Sequence, residues 1–212
     1  NIEIIETVIN LYDPFVFVMN EKKRLPEFLE STDPKNQREE IRKKIQEYEA
    51  KIELINKMPG ELYMNMIKIN CSEINEKIRT KLRECINELL KYIRENKLIR
   101  DGAKLEKAVT NMFSDCERQI RNEKEVNEAE IALETYTQES KKQFYETYED
   151  ILEWFFFYLS YDTYKVLEVQ NDTNVNSFEQ SIKSCRDSFI QIDLSMKSFN
   201  EVLENQKKKF ME

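Results

Sequence analysis

Between Phe178 and Leu203 apolar residues recur at Phe178, Ile182, Cys185, Phe189, Ile192, Met196, Phe199 and Leu203, stepping 4, 3, 4, 3 without a slip. Such spacing puts every one of these side chains on a single stripe of an α-helix. A strand, with its period of two, cannot use the pattern. The stripe predicts one long helix over 175–212, with Phe210 a further seven residues on. At 1.5 Å per residue the span from Phe178 to Phe210 would be about 50 Å long. A helix that long, with so narrow an apolar face, has to lie along other helices.

The same spacing recurs upstream. Ile41, Ile45, Tyr48, Ile52 and Ile55 form one seam, and Ile74, Ile78, Leu82, Cys85, Leu89 and Ile93 another, which Ile86 and Leu90 widen. Leu105, Val109, Met112, Cys116 and Ile120 follow. A looser register, Leu133, Tyr136, Ser140, Phe144, Ile151, Phe155 and Leu159, predicts a helix over 126–168. Only two glycines and four prolines serve 212 residues, too few for the turns of a β-rich or α/β fold. The expected fold class is all-α, an elongated multi-helix bundle.

Punctuation sets the expected boundaries. Residues 1–30 read as two short helices: Ile2, Ile5, Val8 and Ile9 share a face, and Asp13-Pro14 breaks the chain before Phe15, Val18, Met19, Phe28 and Leu29. Asp33 is the expected cap of the next helix, with Pro34 in its first position. Gly102 suits the left-handed residue after a helix C-terminus. Residues 100–103 and 122–128 can nevertheless be read both as breaks and as continuous helix. QNDTN (170–174) is a loop by composition. Leu62, Met64 and Met66 alternate, and Ile67 and Ile69 alternate after a shift of one residue. Period two means extended chain, and the shift means a bend. This is expected to be a strap crossing the bundle, ending at Asn70–Ser72 with good capping chemistry. The expected parts are N-terminal helices over 1–58, the crossing segment over 59–71, a central bundle over 72–169 and the long helix over 175–212.

The chemistry available is limited. A phosphate-cradling loop needs glycines at close spacing, and the two glycines stand at 60 and 102. The chain has no histidine, and its cysteines, Cys71, Cys85, Cys116 and Cys185, are not in CxxC pairs, so zinc sites of the Cys/His kind are not expected. Cys85, Cys116 and Cys185 fall on apolar helix stripes and read as small hydrophobes, kept reduced. Glu39/Glu40 and Glu47/Glu49 read as solvated helix faces, and Lys207–Lys209 as a solvated helix end. No catalytic, cofactor-binding or metal site is expected. A net charge of −8 with acids and bases interleaved argues against a nucleic-acid surface. The longest apolar run, Trp154–Leu159, is far too short to cross a bilayer. WFFFYLSY, apolar on every side, is expected to be a joint buried between helices, so Phe156→Asp should lower the melting temperature. No signal peptide is visible, and a chain that opens on Asn1 reads as a piece of something longer.

The order of Phe28-Leu29, Tyr48, Ile52, Pro59, Glu61, Ile69, Cys71, Ser72 and Ile74 resembles the tail of axonemal dynein heavy chains just before the linker, with FSDCERQI, YEDILEWFFFYLSY and the closing FEQSIKSCRDSFIQIDLSMKSFNEVLENQKKKFME in matching order behind them. Phe178 stands where that family has tryptophan, and Lys207-Lys208 where it has two arginines. The resemblance implies a ciliary, cytoskeletal microtubule motor whose ATP/Mg-dependent ring lies C-terminal to this piece. The piece itself would be a non-catalytic stem segment, a semi-rigid lever. Its partners would be the rest of the heavy chain, a neighbouring heavy chain, intermediate or light chains, or axonemal docking proteins. The alternative is a self-contained spectrin-like or tethering-type module that binds a partner helix, which nothing in the helices alone excludes.

Overall fold

The computed structural model describes residues 2–64, 66–117, 120–161 and 173–211. Among the described residues the fold is all-α apart from one two-stranded hairpin, and the chain divides into two compact units, Asn1–Tyr92 and Ile93–Glu212. The division falls inside the stretch that the sequence assigns to one central bundle.

In the first unit, α1 (Ile2–Ser31) and α2 (Gln37–Asn56) both pack on α3 (Ser72–Tyr92). α1 is one helix, not two, and carries Pro14 and Pro26 inside it. An interior proline costs a hydrogen bond and about 3 kcal/mol. Here Pro14 lies on the buried face with Val18 and Leu25, so burial of that face offsets the cost. The expected apolar contacts Phe15 and Met19 are exposed instead. Asp33 does not cap a helix: its carboxylate accepts from the Lys35 amide at 3.0 Å and shapes a turn, and α2 starts only at Gln37. Ile41, Ile45, Tyr48 and Ile55 of α2 and Ile78, Leu82, Cys85 and Leu89 of α3 fill the core as their spacing requires. Ile74 is exposed, and Asn75 takes the inward position beside it.

Extended chain does occupy the expected place, but it does not cross the bundle. β1 (Glu61–Met64) and β2 (Ile67–Asn70) pair antiparallel, with Leu62 opposite Ile69 and Met64 opposite Ile67. The one-residue shift in the alternation is the hairpin turn. The ends are tied together, since the Cys71 amide donates to the Gly60 carbonyl at 2.7 Å and the Ser72 hydroxyl to the same oxygen at 3.1 Å. Leu62 and Cys71 form a small core with Met58 and Ile69. Asn70 accepts from the Ser72 amide at 2.9 Å, the capping chemistry read from the sequence.

The second unit comprises a π-helical segment (Ile93–Ile99), α4 (Arg100–Cys116), α5 (Glu123–Thr135), a second π-helical segment (Tyr136–Ser140), α6 (Lys141–Ser160) and α7 (Thr173–Met211). Gly102 ends no helix. It lies in the first turn of α4 and is buried beneath the Phe178 ring, where an added Cβ would overlap the ring edge. Residues 100–103 are therefore continuous helix. A break does come at 120–122, where Asn122 caps α5 by accepting from the Glu125 amide at 3.0 Å while Glu125 accepts from the Arg121 amide at 2.7 Å. This exchange resembles a capping box. The expected helix over 126–168 is α5, the π segment and α6, with its residues beyond 161 outside those described. The expected loop at 170–174 also lies mostly outside them; Thr173 and Asn174 already belong to α7.

Both π segments have one cause. The inward residues of the first run Ile93, Leu98, Gly102, Leu105, so Ile93 to Leu98 is a step of five. Those of the second run Val126, Ala129, Leu133, Tyr136, Phe144, where Tyr136 to Phe144 is eight residues, one more than the seven of two α-helical turns. An α-helix would turn such a residue away from the core. An i→i+5 turn takes up the additional residue and keeps both flanking stripes inward. α7, 39 residues and about 58 Å long at 1.5 Å each, packs on α4 and α5. Phe144 stacks on Phe189 with ring centres 4.5 Å apart, and Val126, Ala129 and Leu203 close the far end. Phe210's side chain lies outside those described.

Candidate functional site

Among the described residues, the most deeply buried charge is Glu21 on α1, 3% exposed. It sits at the inward position between Val18 and Leu25, where the helical period demands an apolar residue. Two groups from α2 satisfy it: the Tyr48 hydroxyl donates to Glu21 at 2.8 Å, and Lys44 Nζ pairs with the same oxygen at 2.8 Å. Lys44 and Tyr48 are four residues apart, so they share a helix face. Lys44 Nζ also lies 5.7 Å from the Phe17 ring centre, 5.9 Å from that of Phe28 and 5.6 Å from that of Tyr48, within reach of cation–π attraction. Burial opposes the Lys44 charge, but the hydrogen bond and attraction of Glu21 outweigh it and raise the pKa. Burial first, and then the Glu21 carboxylate, push the Tyr48 phenol far above its ordinary range.

A second polar cluster stands beside the Tyr136–Ser140 π turn. Lys141 Nζ reaches both carboxylate oxygens of Asp193 on α7 at 2.8 Å, and Tyr136 donates to Asp193 at 3.3 Å. The π turn is what brings Tyr136 and Lys141, five residues apart, to the same carboxylate. Burial and Asp193 together raise the Tyr136 phenol. The cluster opens on a groove of about 660 Å³ whose walls include Glu130, Glu134, Lys197 and Asn200. Lys207 ion-pairs with Glu130, so at least one lysine of the triple-lysine helix end is engaged.

In both clusters the groups whose titration is displaced, Lys44, Tyr48 and Tyr136, are raised above their ordinary values. Every displaced group moves away from neutrality. Burial raises the Cys85 and Cys116 thiols and lifts Cys185 to about 11. An activated thiol would shift the other way. Hydrogen bonds from Lys68, Lys77 and Lys81 lower Glu61, Glu73 and Glu84, respectively, all at the surface. A general acid or base works best with a pKa near the working pH. Among the described residues, no three Cys, Asp or Glu side chains are placed to hold a metal ion, and no helix is long and apolar enough to cross a membrane.

The residues weighed from sequence land as follows. Glu39 and Glu47 are exposed, while Glu40 and Glu49 are half-buried. Trp154, Phe155 and Tyr158 are core residues, with Phe155 5.8 Å from Phe178. Phe156 is 63% exposed, so the run is not buried on every side. Glu21 and Asp193 were not visible as special in the sequence. The available signal for Glu21 was an acid standing where the Val18–Leu25 stripe calls for an apolar side chain. For Asp193 it was the slip of one residue between Tyr136 and Phe144.

Comparison with protein-family models, with curated proteins and with solved structures finds no match to this chain.

Proposed function

We propose that the chain is a non-catalytic helical segment that holds position and passes mechanical load within a larger protein. The supporting observation is that the buried Glu21 is matched by Lys44 and Tyr48, and the half-buried Asp193 by Lys141 and Tyr136. Such pairs pin helices in one register, a use of buried charge that favours a defined arrangement over maximal stability. Apolar stripes locked by pairs of this kind resist sliding, which is what a lever needs.

The narrower reading is a stem segment of a ciliary dynein heavy chain, linking a docked tail to an ATP-driven motor on microtubules. It rests on the resemblance in residue order alone. The hairpin at 61–70 replaces the crossing strap on which that resemblance leans most. An independent helical interaction module is the competing reading, favoured by apolar residues left exposed on α1, among them Ile2, Ile5 and Ile9. Residues 1–212, purified and assayed for ATP hydrolysis and nucleotide binding, are expected to show neither; measurable turnover refutes the non-catalytic reading. Sequencing the parent transcript downstream decides the parentage, since a dynein requires a linker and six ATPase modules there.

A further inference from the structure

Where the stripe of α4 meets that of α7, the contact ends in sulfur. Cys116, the last residue of α4, donates its thiol to the Met196 thioether of α7, with Sγ and Sδ 3.1 Å apart. Among the described residues it is the one thiol joined to a second sulfur. Met112 stands one turn earlier on the same α4 stripe, about 6 Å away along the axis. All three side chains are half-buried, whereas Cys71, Cys85 and Cys185 are buried. The sulfur pair also has a way out to solvent. Met196 forms part of the wall of the groove of about 660 Å³ that carries Tyr136 and Asp193.

We infer that Cys116 and Met196 form a binding site for a soft monovalent metal ion, copper(I). Thiolate and thioether are the donors that select this ion over harder cations. The charge balance favours it too. On binding, the Cys116 S–H bond breaks and an S–Cu bond forms, the proton leaves to solvent, and the Met196 sulfur contributes a lone pair. The pair is neutral before and after, so no uncompensated charge is left in a half-buried place. A divalent ion would leave one positive charge over, and the nearby Asp193 is already taken by Lys141 and Tyr136. Burial keeps the Cys116 thiol protonated at neutral pH, so the ion has to displace that proton, as a coordinated metal does. Metal–sulfur bonds of about 2.3 Å require the two sulfurs to part slightly. Met196, unbranched and open to the groove on one side, has the freedom to do so. Met112 occupies the position from which a third sulfur would come. The inference is independent of either parentage considered above.

The test adds copper(I), as its bicinchoninate complex, to the reduced 212-residue protein in the absence of oxygen. The protein should withdraw about one ion per chain from the complex, and Cys116→Ser should withdraw none. Met196→Leu keeps the side-chain volume and removes the sulfur, so it should bind about tenfold or more weakly. A second measurement needs no variant to fold. Silver(I), a redox-inert ion of the same charge and donor preference, should shift the Met196 methyl resonance of the parent protein labelled at its methionine methyl carbons. Failure to withdraw copper(I), withdrawal unchanged by Cys116→Ser or by Met196→Leu, or a Met196 methyl signal that silver(I) leaves in place each overturns the inference.

Discussion

Lys44→Met isolates the buried carboxylate. Methionine keeps most of the stem that lies among Phe17, Phe28 and Tyr48, and removes only the charge that balances Glu21. Removing one member of a buried ion pair costs about 3–5 kcal/mol. Two features lower the figure here: the Lys44 side chain keeps 21% of its surface exposed, and Tyr48 still donates to Glu21. We expect a loss of about 2–3 kcal/mol, which for a chain of this size is about 5–10 °C in melting temperature. Urea unfolding followed by far-UV circular dichroism measures it. Glu21→Leu and Tyr48→Phe added to Lys44→Met should recover most of the loss, because an apolar trio leaves no unpaired group behind. A Lys44→Met protein within about 0.5 kcal/mol of the parent, the range of an ordinary surface change, would show that Glu21 is not a buried charge needing its partner.

Gly102→Ala should destabilise by about 1–3 kcal/mol through collision with Phe178, and adding Phe178→Leu should return part of it, as read by the same unfolding curves. Phe156→Asp should leave the melt nearly unchanged, contrary to the expectation from sequence, whereas Trp154→Ala, at 1% exposure, should cost about 3–5 kcal/mol. Stability should hold from neutral pH to about the ordinary thiol value of 9.0 and fall above it. The folded-state pKa values of Cys85, Cys116, Cys185, Tyr48 and Lys44 are all raised, so their contributions are present below the unfolded values of 9.0, 10.0 and 10.5 and are lost as pH rises through the folded ones; a stability maximum above pH 10 would contradict this. Deleting Glu95 should be tolerated better than deleting Ala103, because the first turns a step of five into a helical four and the second breaks an ordinary register, a difference that paired thermal melts would reveal.

Helix content and most inward positions could be read from local spacing, because each stripe only has to tell one side of a helix from the other. Ile41, Ile45, Tyr48, Leu82, Cys85, Leu89 and the Phe178–Leu203 series are inward as their periods require, wholly or in part. The extended conformation of the 61–70 segment was legible for the same reason. Capping at Asn70 was legible too, since it depends on neighbours two residues away.

Tertiary structure decided everything that weighs one local preference against another. Local rules break the chain at Pro14 and at Gly102; burial against partner helices carries α1 through the first, and the Phe178 ring lying on α4 requires the second to be glycine inside a helix. Alternation cannot distinguish a strap from a hairpin, because that depends on whether Gly60 and Cys71 meet in space. The burial of Glu21 and the pairing of Asp193 likewise depend on residues 23 or more positions away along the chain, beyond the reach of any helical period. Spacing along one chain reports which face turns inward; which groups wait there to receive it is settled only when the helices pack.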